Sequence, residues 1–223
     1  MKRILLLIGV YLVASPLFAQ VNLNRFDAEI RKFEIEDSIS GIKKGAILFT
    51  GSSSIRMWKT LEADMAPLKV LNRGFGGSTI PEVTHYADRI ILPYRPDIIV
   101  LYCGENDISN DQTTSEEVFM SFKEFHKYLR KNLPKTQLYY ISMKPSVLRW
   151  KYWPKVNEAN LKIEAFIKRR KNYHYIDTAT KMLDSDGMVF QDIFIQDNLH
   201  MNEKGYAIWT EVIKPELERA VAP

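Results

Sequence analysis

Four short segments of this chain hold residues able to do chemistry: Gly51-Ser52-Ser53-Ser54, Asn72-Arg73-Gly74-Phe75-Gly76-Gly77, Gly104-Glu105-Asn106-Asp107 and Asp197-Asn198-Leu199-His200. Each alone has an ordinary explanation. A Gly-Ser cluster is a turn with a helix cap, and a Gly-rich run is backbone geometry. Together they supply the parts of acyl transfer. A serine hydroxyl is a weak nucleophile until an adjacent histidine takes its proton. That histidine needs a carboxylate to hold its tautomer and stabilise the imidazolium, and the oxyanion that forms needs fixed donors. Ser53, His200, Asp197, a glycine N–H and an asparagine amide would make that set. The other histidines, His85, His126 and His174, sit in helical or strand segments with no ligand spacing between them.

Such side chains meet only if the chain brings distant segments together. Apolar runs of strand length recur at Ala46–Thr50, Leu68–Asn72, Ile98–Tyr102, Leu138–Met143 and His174–Ile176. Their Ile, Val, Leu and Tyr content suits strands buried on both faces. Helical stripes separate them. Val118, Phe122, Phe125 and Leu129 follow a Thr114-Ser115-Glu116-Glu117 capping box. Val156, Ala159, Ile163, Phe166 and Ile167 follow Pro154 in a first turn. Tyr206, Trp209, Ile213, Leu217 and Ala220 form a third stripe. Two further helices are expected, one from near Phe26 and one from Pro81 to Ile91. Alternating strand and helix predicts an α/β fold with a parallel sheet covered on both faces. Ligands collect at the carboxyl ends of such strands. Three of the four segments directly follow predicted strands, and the fourth opens the last helix. No linker divides residues 20–223, which read as one domain.

In these four blocks the sequence resembles the GDSL-like, or SGNH, hydrolases, a family of esterases and acylhydrolases. Phe49-Thr50-Gly51-Ser52-Ser53 matches the first block and puts Ser53 at the nucleophile. Asn72-Arg73-Gly74-Phe75-Gly76-Gly77 matches the second and assigns Gly76 as an oxyanion N–H donor, alongside the N–H of Ser53 itself. Gly104-Glu105-Asn106-Asp107 matches the third, with Asn106 as the side-chain donor. Asp197-x-x-His200, followed by Asn202 and Gly205-Tyr206, matches the last. The resemblance implies a three-layer α/β/α sandwich with a flavodoxin-like sheet of five parallel strands, and neither a metal nor an organic cofactor. In one departure, the Asp that gives the family its name is Ser52 here. That position belongs to the local turn, so the proton relay is left intact. Asp184-Ser185-Asp186-Gly187 hints at a calcium loop, but the third acid and the closing Glu are missing, and it reads as a turn.

The composition narrows the rest. The chain has 223 residues, 46% apolar and 26% charged, with a formal charge of +4, which suits a globular protein. Lys2-Arg3, the apolar Ile4–Ala14 and the small Ala19 form the pattern of a secretory signal peptide over residues 1–19. Pro16 interrupts the apolar stretch too early for a membrane-spanning helix. An exported protein, periplasmic or extracellular, without stable membrane insertion is expected. Taking Lys2 and Arg3 from the 31 bases leaves 29 against 27 acids, so no basic surface for nucleic acid is expected. The lone Cys103 cannot form an internal disulfide and reads as a small buried hydrophobe. Around Trp150 and Trp153 the sequence runs Lys144-Pro145-Ser146-Val147-Leu148-Arg149-Trp150-Lys151-Tyr152-Trp153. Those indoles could stack on a sugar ring or pack as a lid. The expected substrate is a short-chain, acetyl-type ester of a glycan or similar polar molecule. A lysophospholipase or thioesterase would share the same catalytic set. A carbohydrate-binding protein without catalysis leaves the triad unexplained.

Overall fold

The computed structural model describes residues 23–222, so the expected signal peptide lies outside the described residues. The chain opens with helix α1 (Asp27–Ser40) and strand β1 (Ile47–Gly51), then two short helices, α2 (Ser53–Arg56) and α3 (Leu61–Met65). Strand β2 (Val70–Gly74), α4 (Ile80–Ile90), β3 (Ile98–Tyr102) and the single turn α5 (Glu105–Ile108) follow. The second half runs α6 (Ser115–Asn132), β4 (Gln137–Ile141), α7 (Trp153–Ile167), β5 (Tyr173–Ile176) and α8 (Glu203–Val221). All five strands are parallel, in the order β2-β1-β3-β4-β5.

Alternate strand residues sort into two cores, as the period of two requires. Leu48, Leu71, Ile99, Leu101, Leu138 and Tyr140 face α1, α4, α6 and α7. Phe49, Val70, Val100, Tyr102, Tyr139 and Ile141 face α3 and α8. These are the three layers. The helix starts follow their sequence signals. Thr114 and Thr79 both form capping boxes, with Glu117 and Glu82, and Asn202 caps α8 by accepting from the N–H groups of Lys204 and Gly205.

Two strand boundaries differ from the hydrophobic runs. β2 starts at Val70 because the Leu68 N–H closes the end of α3 on the Met65 carbonyl at 2.9 Å. β4 stops at Ile141 because the Asn160 amide takes both backbone groups of Met143, at 2.9 and 2.8 Å. The turns α2, α3 and α5 are too short to show a helical period in sequence. The strand order reverses at β1, which lies between β2 and β3. The crevice at that switch point collects ligands in open α/β sheets, and the short helices α2 and α5, which carry Ser53 and Asn106, start there at the ends of β1 and β3.

Candidate active site

Ser53, His200 and Asp197 form a continuous relay. The Ser53 hydroxyl lies 2.9 Å from His200 Nε2, and His200 Nδ1 lies 2.6 Å from Asp197 Oδ2. Partial burial opposes the charge on Asp197, but the His200 ring and the backbone N–H groups of His200 and Leu199 outweigh it. They hold the carboxyl down to about 2. An ionised carboxylate only accepts, so Nδ1 carries the imidazole proton and Nε2 is free to accept from Ser53. The other carboxylate oxygen, Oδ1, takes the N–H groups of Leu199 and His200, each at 2.9 Å. Asn198 turns the chain with φ of 57°, a left-handed conformation that asparagine tolerates. The Asp-x-x-His spacing is thus a turn folded around the carboxylate.

That turn is pinned from outside. Leu148 N–H donates to the Asn198 carbonyl at 3.0 Å, and Lys144 Nζ donates to the Leu199 carbonyl at 2.8 Å. On the nucleophile side, Gly51 has φ of 125°, and a Cβ there would fall 1.9 Å from the Tyr102 carbonyl oxygen. Only glycine lets the chain leave β1 so close to β3. Ser52, where the family's Asp would be, is buried and donates its N–H to that same carbonyl at 3.0 Å. Tyr206 of α8 donates its hydroxyl to the Ser54 carbonyl at 2.9 Å and stacks on the buried Trp58. The last helix therefore braces the nucleophile turn.

The second block is organised by α1. Phe26 covers Gly76, where a Cβ would come within 2.1 Å of its ring. Arg25 pairs with the buried Glu82 and reaches the Gly77 carbonyl at 3.3 Å. The Gly76 N–H, expected at the oxyanion, donates instead to Glu29 Oε1 at 3.1 Å. Gly77 is exposed, and a Cβ on it would sit 3.8 Å from Asn106 Nδ2. The glycine beside Asn106 is therefore the next one along. No signal in the Gly-rich run alone separates these two positions, since Glu29 lies in the distant helix α1 and Phe26 just before it.

Asn106 donates through Nδ2 to the Ser78 carbonyl at 3.1 Å and accepts at Oδ1 from Arg149 at 3.0 Å. Arg149 also pairs with Glu105, whose other oxygen takes Lys144 at 3.1 Å and the Tyr102 hydroxyl at 2.6 Å. Burial works against the charge on Glu105, yet Lys144 and Arg149 beside it hold its carboxyl below the usual glutamate range. Two cations and one carboxylate thus meet beside Asn106. In the sequence Lys144 and Arg149 stand only as basic neighbours of the Trp150–Trp153 segment at the rim of the site, and nothing there pairs them with Glu105, far back along the chain.

Trp150 and Trp153 face each other at 6.3 Å with rings 14° from parallel. Trp150 packs against the core under α8 and Trp153 against the opposite core, and both stay partly accessible. Cys103 is fully buried, its thiol on the Ser78 carbonyl. Asp184 folds into a turn, its Oδ1 accepting from the N–H groups of Asp186 and Met188. Among the described residues no cluster of His, Cys, Asp and Glu has the geometry to hold a metal ion, and no helix is long and apolar enough to cross a membrane.

An Asp–His–Ser relay at the carboxyl ends of a parallel sheet is the arrangement that serine hydrolases use on α/β folds. This chain belongs to the GDSL-like lipase/acylhydrolase family, whose sequence profile matches residues 37–208. Solved structures share the fold at low identity. A GDSL-like lipase from Bacteroides thetaiotaomicron is 18% identical, over 87% of this chain and 99% of that one, with a TM-score of 0.74. A lipase/acylhydrolase from Enterococcus faecalis is 19% identical over 80% and 98%, at 0.61. A carbohydrate esterase of family 3 from Talaromyces cellulolyticus is 12% identical over 80% and 98%, at 0.60. No curated protein matches the chain.

Proposed function

We propose that this protein is a serine ester hydrolase that works through an acyl-enzyme and removes short acyl groups, acetyl above all, from a glycan or similar polar ester. The single observation that carries the chemistry is the relay itself, with Ser53 Oγ 2.9 Å from His200 Nε2 and His200 Nδ1 2.6 Å from Asp197. In this reading Ser53 Oγ attacks the ester carbonyl and its proton passes to His200 Nε2. Asp197 holds the imidazolium. The oxyanion is met by the N–H groups of Ser53 and Gly77 and by the Asn106 amide; Gly77 replaces Gly76, whose N–H Glu29 occupies. His200 then protonates the leaving alkoxide, and water repeats the cycle on the acyl-enzyme. The partly accessible Trp150–Trp153 pair, near Asn106 through Arg149, offers a flat surface for a sugar. Likeness in fold to a carbohydrate esterase is in keeping with this reading. The leader pattern of residues 1–19 supports export, which N-terminal sequencing of the mature protein tests.

The test is a series of p-nitrophenyl esters from acetyl to long-chain, with Ser53→Ala beside wild type. Turnover of acetyl and propionyl esters that vanishes in Ser53→Ala is the expected result. A preference for eight carbons or more moves the substrate to lipids. Equal inactivity of both proteins on these esters and on acetylated glycans overturns the enzyme and leaves the binding-protein reading.

A further inference from the structure

The amide of Asn106 can present either its nitrogen or its oxygen to the reaction site, and only the nitrogen can stabilise an oxyanion. Two neighbours decide between them. The Ser78 carbonyl only accepts and lies 3.1 Å from Nδ2; the Arg149 guanidinium only donates and lies 3.0 Å from Oδ1. Turning the amide over would set carbonyl against carbonyl and N–H against N–H. With one Nδ2 hydrogen on Ser78, the second is left for the substrate. We propose that Arg149 is a positioning residue of the oxyanion site, holding the Asn106 amide in its donating orientation through the bond to Oδ1. This rests on the ester-hydrolase reading above and deepens it.

Arg149 is itself held. Its Nη1 also donates to Glu105 Oε1 at 3.2 Å, and Glu105 is fixed by Lys144 and Tyr102. Lys144, fully buried, bonds the Leu199 carbonyl next to His200. One charged cluster thus braces the oxyanion amide and the histidine turn against each other. The guanidinium also polarises the amide it touches, which strengthens the remaining N–H as a donor. Arg149 meets the Asn106 oxygen rather than the reacting atoms, so its loss should lower turnover and leave substrate affinity alone.

Arg149→Met, Arg149→Lys, Asn106→Ala and the Arg149→Met/Asn106→Ala double variant test this. Two readouts apply: steady-state hydrolysis of p-nitrophenyl acetate, and the rate of covalent labelling by a fluorophosphonate. In the labelling step Ser53 Oγ bonds to phosphorus, its proton goes to His200, the P–F bond breaks and fluoride leaves, with the phosphoryl oxygen in the oxyanion site. Asn106→Ala should lose about 10²–10³ in kcat, and Arg149→Met about 10–100-fold, with KM within about threefold. Labelling should slow in parallel. The double variant should be no slower than Asn106→Ala, because without the amide there is nothing for Arg149 to orient. Arg149→Lys, which keeps a donor in reach of Oδ1, should fall between wild type and Arg149→Met; if Arg149→Met does not fold, Arg149→Lys decides the question. A folded Arg149 variant with wild-type kcat and labelling overturns the proposal, as do losses that multiply in the double variant. Failure of wild type itself to label would overturn the hydrolase reading instead, and this inference with it.

Discussion

Replacing Asp197 by asparagine keeps the shape of the turn and reverses the chemistry of one atom. Asp197 Oδ1 accepts two backbone N–H groups at 2.9 Å, and abandoning them would cost about 1 kcal/mol each or more. An asparagine at this position must therefore keep its carbonyl oxygen on those N–H groups. Its amide nitrogen then faces His200 Nδ1, where Asp197 Oδ2 stood at 2.6 Å. That nitrogen donates, so Nδ1 has to accept and the imidazole proton moves to Nε2. A protonated Nε2 cannot take the Ser53 hydroxyl proton across 2.9 Å. A triad held in the wrong tautomer loses about 10⁴ in kcat, or about 5.5 kcal/mol of barrier at about 1.36 kcal/mol per tenfold. The expected result for Asp197→Asn is that loss with KM nearly unchanged and a melting temperature close to wild type. Nitrogen NMR of His200 should show the proton moved from Nδ1 to Nε2. A variant that retains activity within about tenfold of wild type, or whose His200 still carries its proton on Nδ1, would refute the reasoning.

Two further outcomes follow from the packing and the buried charge. Gly76→Ala should lose about 2 kcal/mol or more of stability, since its φ of 25° is strained for alanine and the new methyl would fall 2.1 Å from the Phe26 ring; a drop of about 4 °C or more in Tm is expected, and a wild-type Tm would mean that α1 does not seat on this loop. Burial pushes the Asp107 carboxyl up to about 7 from an ordinary 3.8, against the hydrogen bonds it receives from Ile80 N–H and its own backbone. The native state therefore binds a proton that the unfolded chain has released. Stability from this group is full below about pH 4 and is lost as pH rises to about 7, at most about 4 kcal/mol at about 1.36 kcal/mol per unit. Asp107→Asn should gain stability relative to wild type as the pH is raised from 4.5 to 7.5 in urea unfolding; an unchanged gap across that range would show that Asp107 is ionised throughout.

The layers and most elements were legible in the sequence because they rest on local patterns. Strands of about five apolar residues, stripes at helical spacing and the Thr114–Glu117 box each report on near neighbours, and the structure keeps them with shifts of one to three residues. The shifts at β2 and β4 came from Leu68 and Asn160, whose partners lie outside the strand pattern. That Ser53, His200 and Asp197 meet was legible for a different reason, since a serine after one strand and an Asp-x-x-His before the last helix matched the family's first and last blocks, and the structure brings them into one hydrogen-bonded chain. The choice between Gly76 and Gly77 was not legible. It depends on Glu29 of α1 and on Phe26 just before that helix, which take up the first glycine and leave the second beside Asn106. The cluster of Glu105, Lys144 and Arg149 was equally hidden, because a charge in a sequence looks solvated until its partners bury it. Residue order sets which groups this protein owns and which way each strand faces. Only the folding of distant segments onto one another decides which N–H is free, which amide atom points inward and which charges lose their water, because those outcomes belong to contacts and not to composition.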